Sequence, residues 1–162
     1  MNKWDKALQD FKGCSDRLEE AVSHLTDKQL DRVPEDGGWS PRQIIHHLAD
    51  GACIWGMFIH QALAGKGGEF KLHWYWDISQ EEWSDIWHYS SRDIGPSLEI
   101  YRSHQERLIP LLEKIDHPDE LGLEFNIEGQ EPSSITILEA IRFQPLHLRE
   151  HLAEINKILH QG

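Results

Sequence analysis

The sequence predicts an all-α protein, a four-helix bundle with a long crossover between its second and third helices. Over four long stretches, apolar residues recur at three- and four-residue spacing, as in helices that bury one face. Two of these stretches open with strong helix-start signals, and alternating strand patterns are nearly absent. A chain of 162 residues can bury one core, so we expect a single domain over residues 1–162.

The first two helices are predicted from an apolar stripe and from a helix-start signal. Residues 3–24 form the first helix, whose stripe consists of Trp4, Leu8, Phe11, Cys14 or Ser15, Leu18, Val22 and Leu25. The second helix should start at Pro41, because Ser40 can cap it and proline is favoured at the first helical position. It should end near Ala64, where a glycine-rich segment interrupts the pattern.

The connection over residues 65–92 is long and rich in aromatic side chains: Trp74, Tyr75, Trp76, Trp83 and Trp87. Ser79 can cap a short helix inside it that reaches Trp87 or His88. Two interpretations of the 74–87 segment stay open. It forms a lid or wall beside a binding site, or its tryptophans close the end of the bundle or form a dimer contact.

The third and fourth helices complete the predicted bundle. The third fits residues 93–115, and Pro110 should kink it or end it early. A polar loop over residues 116–134 follows, with a short hairpin predicted around Glu128-Gly129-Gln130. The pattern Thr136-Ile137-Leu138-Glu139 is typical of a capping box and predicts a last helix that continues to about His160.

Composition and charge exclude several classes of function. The formal net charge is −12 with histidines neutral, so the surface should repel nucleic-acid phosphates and we expect no nucleic-acid partner. Glycine and polar residues break the longest apolar stretch, at residues 52–64, which predicts that no segment spans a membrane. The N-terminus lacks the apolar core of a signal peptide, and Cys14 and Cys53 form no CxxC pair. Both observations suit a protein of the reducing cytoplasm.

Histidines interrupt the apolar stripes of two predicted helices. His47 shares a face of the second helix with Ile44, Gly51, Ile54 and Phe58. On the last helix, His147 and His151 lie one turn apart within the inward stripe Ile137, Ala140, Gln144, Ile155 and Ile158. Side chains at this spacing emerge on the same side, with Cβ atoms about 6 Å apart, so the pair can converge on one metal ion.

The alternative to a metal site is a set of ordinary buried histidines, each with its own hydrogen-bond partner. For the helical pair alone the two interpretations are balanced. Two neighbouring inward imidazoles without a metal would need separate buried partners, and His47 supplies a third from another core stripe. The sequence therefore favours a divalent metal site. The other histidines considered are predicted to lie at the surface or rim: His46, His60, His73, His88, His104, His117 and His160.

Two segments resemble the DinB-like superfamily, in particular its YfiT-like branch. The family's helix-2 signature is similar to Gly38-Trp39-Ser40-Pro41-Arg42-Gln43-Ile44-Ile45-His46-His47-Leu48-Ala49-Asp50. Its C-terminal HxxxH motif is similar to Gln144-Pro145-Leu146-His147-Leu148-Arg149-Glu150-His151. The order and separation of the two motifs also match, so the resemblance covers nearly the whole chain.

The resemblance implies an up-down-down-up bundle, often a homodimer, with a three-histidine site for nickel or zinc. Carried over by position, the ligands are His47, His147 and His151. Iron, manganese and cobalt are also compatible with three nitrogen ligands. Where many relatives have a histidine before the last ligand and a Gln or His three residues after it, this chain has Glu150 and Glu154. The ligand set is intact, but those neighbours differ.

The function implied by the resemblance is metal-dependent chemistry on a small molecule. Some relatives transfer a low-molecular-weight thiol, such as bacillithiol or mycothiol, to an electrophile, and others are named as metal-dependent hydrolases. Candidate acid/base groups are Asp50, Glu150 and Glu154, although Asp50 and Glu150 are better suited to orienting ligand rings or facing solvent. The alternatives are a non-catalytic dimeric module that binds a metal or ligand, and a purely structural bundle.

Overall fold

The computed structural model describes residues 2–35, 37–127, 129 and 131–161. In chain order the first helices are α1 (Lys3–Lys12), α2 (Cys14–Val22), α3 (Asp27–Leu30), α4 (Pro41–Leu63), α5 (His73–Trp76), α6 (Gln80–Ile86) and α7 (Gly95–Leu112). They are followed by β1 (Gly122–Phe125), β2 (Ser133–Thr136) and α8 (Ile137–His160). The predicted four-helix bundle is confirmed: α1 with α2, α4, α7 and α8 are its four members.

The order of the helices around the bundle follows from their contacts. Both α4 and the α1–α2 pair pack against α7 and α8. Near the starts of α4 and α7, His46 Nδ1 lies 2.8 Å from Ser97 Oγ, so these two neighbours run in the same direction. Trp55, late in α4, contacts Phe143, early in α8, so that pair is antiparallel. Parallel neighbours cannot be joined by a tight turn, and the long connection from α4 to α7 provides the crossover.

The first bundle member is two helices rather than the single helix predicted over residues 3–24. α1 ends before Gly13, and α2 starts directly after it. The buried side chain of Gln105, from α7, spans the break: its Nε2 donates to Phe11 O at 2.9 Å, and its Oε1 accepts from the Ser15 N–H at 2.8 Å. A side-chain amide thus satisfies backbone groups that the interruption would leave unpaired.

The predicted starts of α4 and α8 are confirmed by their caps. Ser40 and Gln43 form a reciprocal capping box at α4, and Thr136 and Glu139 form one at α8. α7 ends at Leu112, two residues after Pro110, so the helix ends earlier than residue 115, as the proline predicts. The predicted hairpin is also present, with Leu123 paired to Ile135 in an antiparallel register, whereas Glu128 and Gln130 of its predicted turn lie outside the described residues.

The aromatic crossover packs onto one end of the bundle. Phe70, Leu72, Tyr75 and Trp83 are buried in the same apolar cluster as Phe58 of α4. The Trp83 indole N–H donates to the Tyr75 carbonyl at 2.9 Å, which satisfies the polar atom of a buried ring. This part of the crossover therefore closes the core. None of the described helices combines the length and apolar character that a bilayer-spanning segment requires.

Candidate metal centre

The structure brings His47, His147 and His151 together. α4 supplies His47 and the antiparallel α8 supplies the other two, one helical turn apart. His147 Nε2 lies 3.2 Å from His47 Nε2 and 3.1 Å from His151 Nε2. One ligand atom from each of the three half-buried residues lies within 4.8 Å of the others. No other group of three or more such side chains meets this criterion among the described residues.

Hydrogen bonding alone does not account for this convergence. A neutral imidazole nitrogen carries either one hydrogen or one lone pair, so His147 Nε2 cannot bond well to both neighbours at once. A divalent ion removes the conflict, because all three nitrogens then point lone pairs at one centre. Metal–nitrogen bonds of about 2.0–2.1 Å place two adjacent ligands roughly 3 Å apart, which agrees with the observed separations. The donor set therefore fits a divalent ion that accepts nitrogen ligands.

Burial keeps two of these imidazoles, those of His47 and His147, in the neutral form that binds a metal. Burial, with a smaller contribution from the charges that His147 and His151 can carry, lowers the pKa of His47 to about 3. Burial, with a smaller contribution from the charge on His151, lowers the pKa of His147 to about 4. Both rings are therefore neutral near pH 7, and no proton has to be displaced from their ligand nitrogens.

An outer hydrogen bond orients one of the rings. His151 Nδ1 lies 3.1 Å from Glu154 Oε2, so its N–H donates to the carboxylate and its Nε2 keeps a lone pair for the centre. Gln80, at the start of α6, lines the same cavity as His47, and its side chain accepts from the Tyr75 hydroxyl at 3.1 Å. The aromatic crossover thus reaches the site through Gln80, a role that no motif in the sequence indicates.

The three predicted acid/base candidates occupy different environments. Asp50 Oδ2 accepts a 2.6 Å hydrogen bond from the Tyr89 hydroxyl, which ties it to a buried side chain. Glu150 is exposed to solvent, and Glu154 is the outer partner of His151. Of the three, the structure therefore places only Glu154 against one of the three histidines.

The prediction that His46 lies at the rim is wrong. Its ring is 0% exposed, with Nδ1 at 2.8 Å from Ser97 Oγ and Nε2 at 3.2 Å from the Arg92 carbonyl. A bundle helix has two neighbours, so α4 buries one face against α8 and another against α7, and His46 lies on the second. His104 is half-buried over Gly56, where a Cβ would overlap its ring.

The remaining histidines of that prediction divide into two groups. His60 is half-buried, and its Nδ1 lies 2.7 Å from the Gly56 carbonyl. The others are exposed, as predicted: His73, His88, His117 and His160.

Glu154→Ala should weaken metal binding without unfolding the chain. Loss of the hydrogen-bond partner of a ligating histidine typically lowers metal affinity about 10–100-fold. The chain should stay folded because the Glu154 side chain is 43% exposed. Competition with a chromophoric chelator measures the change. Glu150→Ala is the matched control, since it removes the same charge from an exposed position of the same helix. Equal effects of the two substitutions would show that net charge, and not ring orientation, determines affinity.

Comparison with known proteins places this geometry in a family. The model of the DinB superfamily matches residues 10–155. The chain is 27% identical over 158 residues to a "putative metal-dependent hydrolase" of Oceanobacillus iheyensis, covering 98% of this chain and 85% of that protein. It is 26% identical over 166 residues to the protein of the same description, YfiT, from Bacillus subtilis, covering 97% and 83%.

A solved structure agrees with these sequence relationships. It is described as "YfiT from Bacillus subtilis is a probable metal-dependent hydrolase with an unusual four-helix bundle topology". The TM-score is 0.81 at 25% identity, and the alignment covers 96% of this chain and 85% of the other. Because the family model spans most of the chain and the bundle is shared, this chain belongs to the DinB superfamily.

Proposed function

We propose that the chain is a metal-dependent enzyme whose three imidazoles hold a divalent ion beside a small-molecule cavity. The observation that carries this proposal is that His47 and His147 form part of the wall of a cavity of about 210 Å³. A molecule bound there lies next to the convergent ring nitrogens. Three protein ligands leave coordination positions open, as in catalytic rather than structural sites. Zinc or nickel suits this donor set, and iron, manganese and cobalt are compatible with it.

The chain's own residues prepare the site for a nucleophile. When bound, a divalent ion acts as a Lewis acid that lowers the pKa of a bound thiol or water. His47 and His147 are neutral near pH 7 because burial lowers the pKa of each, so they offer lone pairs rather than charge. Glu154 holds the ring of His151 in place.

The cavity favours thiol transfer to an electrophile as the reaction. No carboxylate is among the described residues that line it, whereas hydrolytic zinc sites commonly place a glutamate there as general base. A thiol, with a pKa of about 8.5, ionises far more readily than water and needs less help from a base. Hydrolysis of a small substrate is the second candidate, and the description of the relatives as metal-dependent hydrolases favours it.

The test measures thiol consumption and hydrolysis separately. Metal-free protein, purified without a histidine tag, is reloaded with zinc, nickel, iron, manganese or cobalt and assayed with a panel of thiols, electrophiles, esters and amides. We expect turnover that needs both metal and thiol. Turnover that needs metal but no thiol would identify a hydrolase. If no metal supports either reaction, the enzyme proposal fails, and a non-catalytic dimeric binding module becomes the better explanation.

A further inference from the structure

The cavity beside the histidines has walls made mainly of aromatic rings from four parts of the chain. α4, the crossover, β1 and α8 supply the rings of Trp55, Phe70, Tyr75, Trp76, Phe125 and Phe143. Phe143 stacks on the His147 imidazole, with ring centres 5.1 Å apart and planes 19° apart. It also packs against Trp55 at 5.1 Å, so the metal ligand and the apolar wall are continuous.

None of the described residues that line the cavity is an acidic or basic side chain that could pair with a charged ligand. Apart from the imidazoles of His47 and His147, its polar groups among the described lining residues are the amide of Gln80, the hydroxyl of Tyr75 and the indole N–H groups of two tryptophans. Away from the histidines, an ionised group moved from water into such surroundings loses its hydration and gains no counter-ion. Two of these polar groups are connected, since the Gln80 side chain accepts from the Tyr75 hydroxyl at 3.1 Å. The cavity therefore has an apolar body and a polar end at the histidines, and only the histidine end would carry charge, when the proposed ion is bound.

The volume sets the size of the ligand. An engineered apolar cavity of about 150 Å³ holds one benzene molecule, whereas pockets for drug-sized ligands run from about 300 Å³ upward. At about 210 Å³, this cavity is the right size to enclose one substituted ring.

The rim of the cavity exposes large apolar side chains that the core does not cover. Phe143 is 40% exposed and Trp76 is 39% exposed, whereas Phe70 and Phe125, which also line the cavity, are buried. Each Å² of apolar surface that stays in water lacks about 25 cal/mol of stabilisation that burial would provide. A ligand ring that packs between Phe143 and Trp76 would bury this surface and gain that free energy. Ligand binding would therefore explain why the rim is apolar and exposed.

We infer that the substrate bound in this cavity is a neutral molecule with a single aromatic ring, its reacting group directed at His47 and His147. This inference rests on the proposed function and specifies the electrophile or hydrolysed substrate, while a thiol would approach from the open side. Trp55, Trp76 and Phe143 determine specificity by packing against the ring.

The test compares three non-reactive amides on metal-free protein, so that binding is measured without turnover. N-Methylbenzamide carries a neutral ring, N-methylacetamide carries the same amide without a ring, and 4-carboxy-N-methylbenzamide adds a charge to the ring. Dissociation constants are obtained by NMR titration or from tryptophan fluorescence. We expect N-methylbenzamide to bind roughly tenfold more tightly than either comparison compound. Equal or tighter binding of the carboxylate, or no saturable binding of N-methylbenzamide, would overturn the inference.

Matched variants locate the binding. Phe143→Ala and Trp76→Ala should each weaken N-methylbenzamide binding roughly five- to tenfold, because each removes one wall. Leu146→Ala, equally exposed on α8, and Trp74→Ala, exposed on α5, do not line the cavity and should leave binding unchanged. If the control variants weaken binding as much as the rim variants, the ring binds elsewhere and the inference fails.

The result is independent of whether the enzyme proposal holds. Selective binding of the neutral ring by protein that turns over nothing with any metal would remove the proposed function and leave this inference intact. Turnover with charged or ringless substrates at equal rates would remove the inference and leave the proposed function intact.

Discussion

Replacing His147 by alanine should abolish stoichiometric metal binding. Its Nε2 is the central atom of the cluster, 3.2 Å from that of His47 and 3.1 Å from that of His151. Without it, two nitrogens on separate helices remain as ligands. We expect metal content to fall from about one ion per chain to near zero. The metal affinity should fall by more than about 100-fold, which is the largest loss typical when only a hydrogen-bond partner of a ligand is removed. Elemental analysis of protein purified without a histidine tag or a nickel column measures the content.

His160→Ala is the control for this substitution. It removes an imidazole from the same helix, at an exposed position where Nδ1 lies 2.7 Å from the Asn156 carbonyl. Metal content should be unchanged in this variant. Thermal unfolding gives a second measurement. An ion present at about 100 times its Kd should stabilise the folded wild type by about 2.7 kcal/mol. The unfolding temperature of His147→Ala should not change when the metal is added. Unchanged metal content in His147→Ala would show that the three histidines do not form the site.

The sequence predicted the long helices well where a local signal decided the outcome. The capping pairs Ser40–Gln43 and Thr136–Glu139 lie within one turn of chain, so α4 and α8 start where the residues indicate. The break at Gly13 has no such local signal. It depends on Gln105, whose side chain reaches Phe11 and Ser15 across the bundle, and that contact exists only after α7 has packed.

The same distinction applies to the candidate centre. Helical spacing predicted that His147 and His151 share a face, and the apolar stripe predicted that His47 faces the core, since both are properties of single helices. Which face of α4 meets which neighbour is a property of the bundle, so His46 was misplaced at the rim. Gln80 could not be identified, because the crossover that carries it to His47 has no periodic pattern.

Phe58→Ala should cause the largest loss of stability among simple substitutions on α4. The Phe58 ring is 0% exposed and contacts three others: Trp55 at 5.7 Å, and Phe70 and Phe125 at 5.5 Å between ring centres. Truncating a fully buried phenylalanine typically costs about 3–5 kcal/mol, from lost transfer free energy and the cavity left behind. Urea denaturation should show this fall in the free energy of unfolding, with an unchanged slope if only stability is altered.

Met57→Ala separates this packing effect from a general effect on the helix. Met57 precedes Phe58 directly but is 49% exposed, so its truncation should change the free energy of unfolding by less than about 1 kcal/mol. The three rings that Phe58 packs against, Trp55, Phe70 and Phe125, all line the cavity, whereas His47 lies three turns earlier on α4. Phe58→Ala should therefore loosen the apolar wall while leaving metal stoichiometry near one per folded chain. A stability loss below 1 kcal/mol would mean that the aromatic cluster collapses readily around the missing ring, and that the crossover is held to the bundle by other contacts.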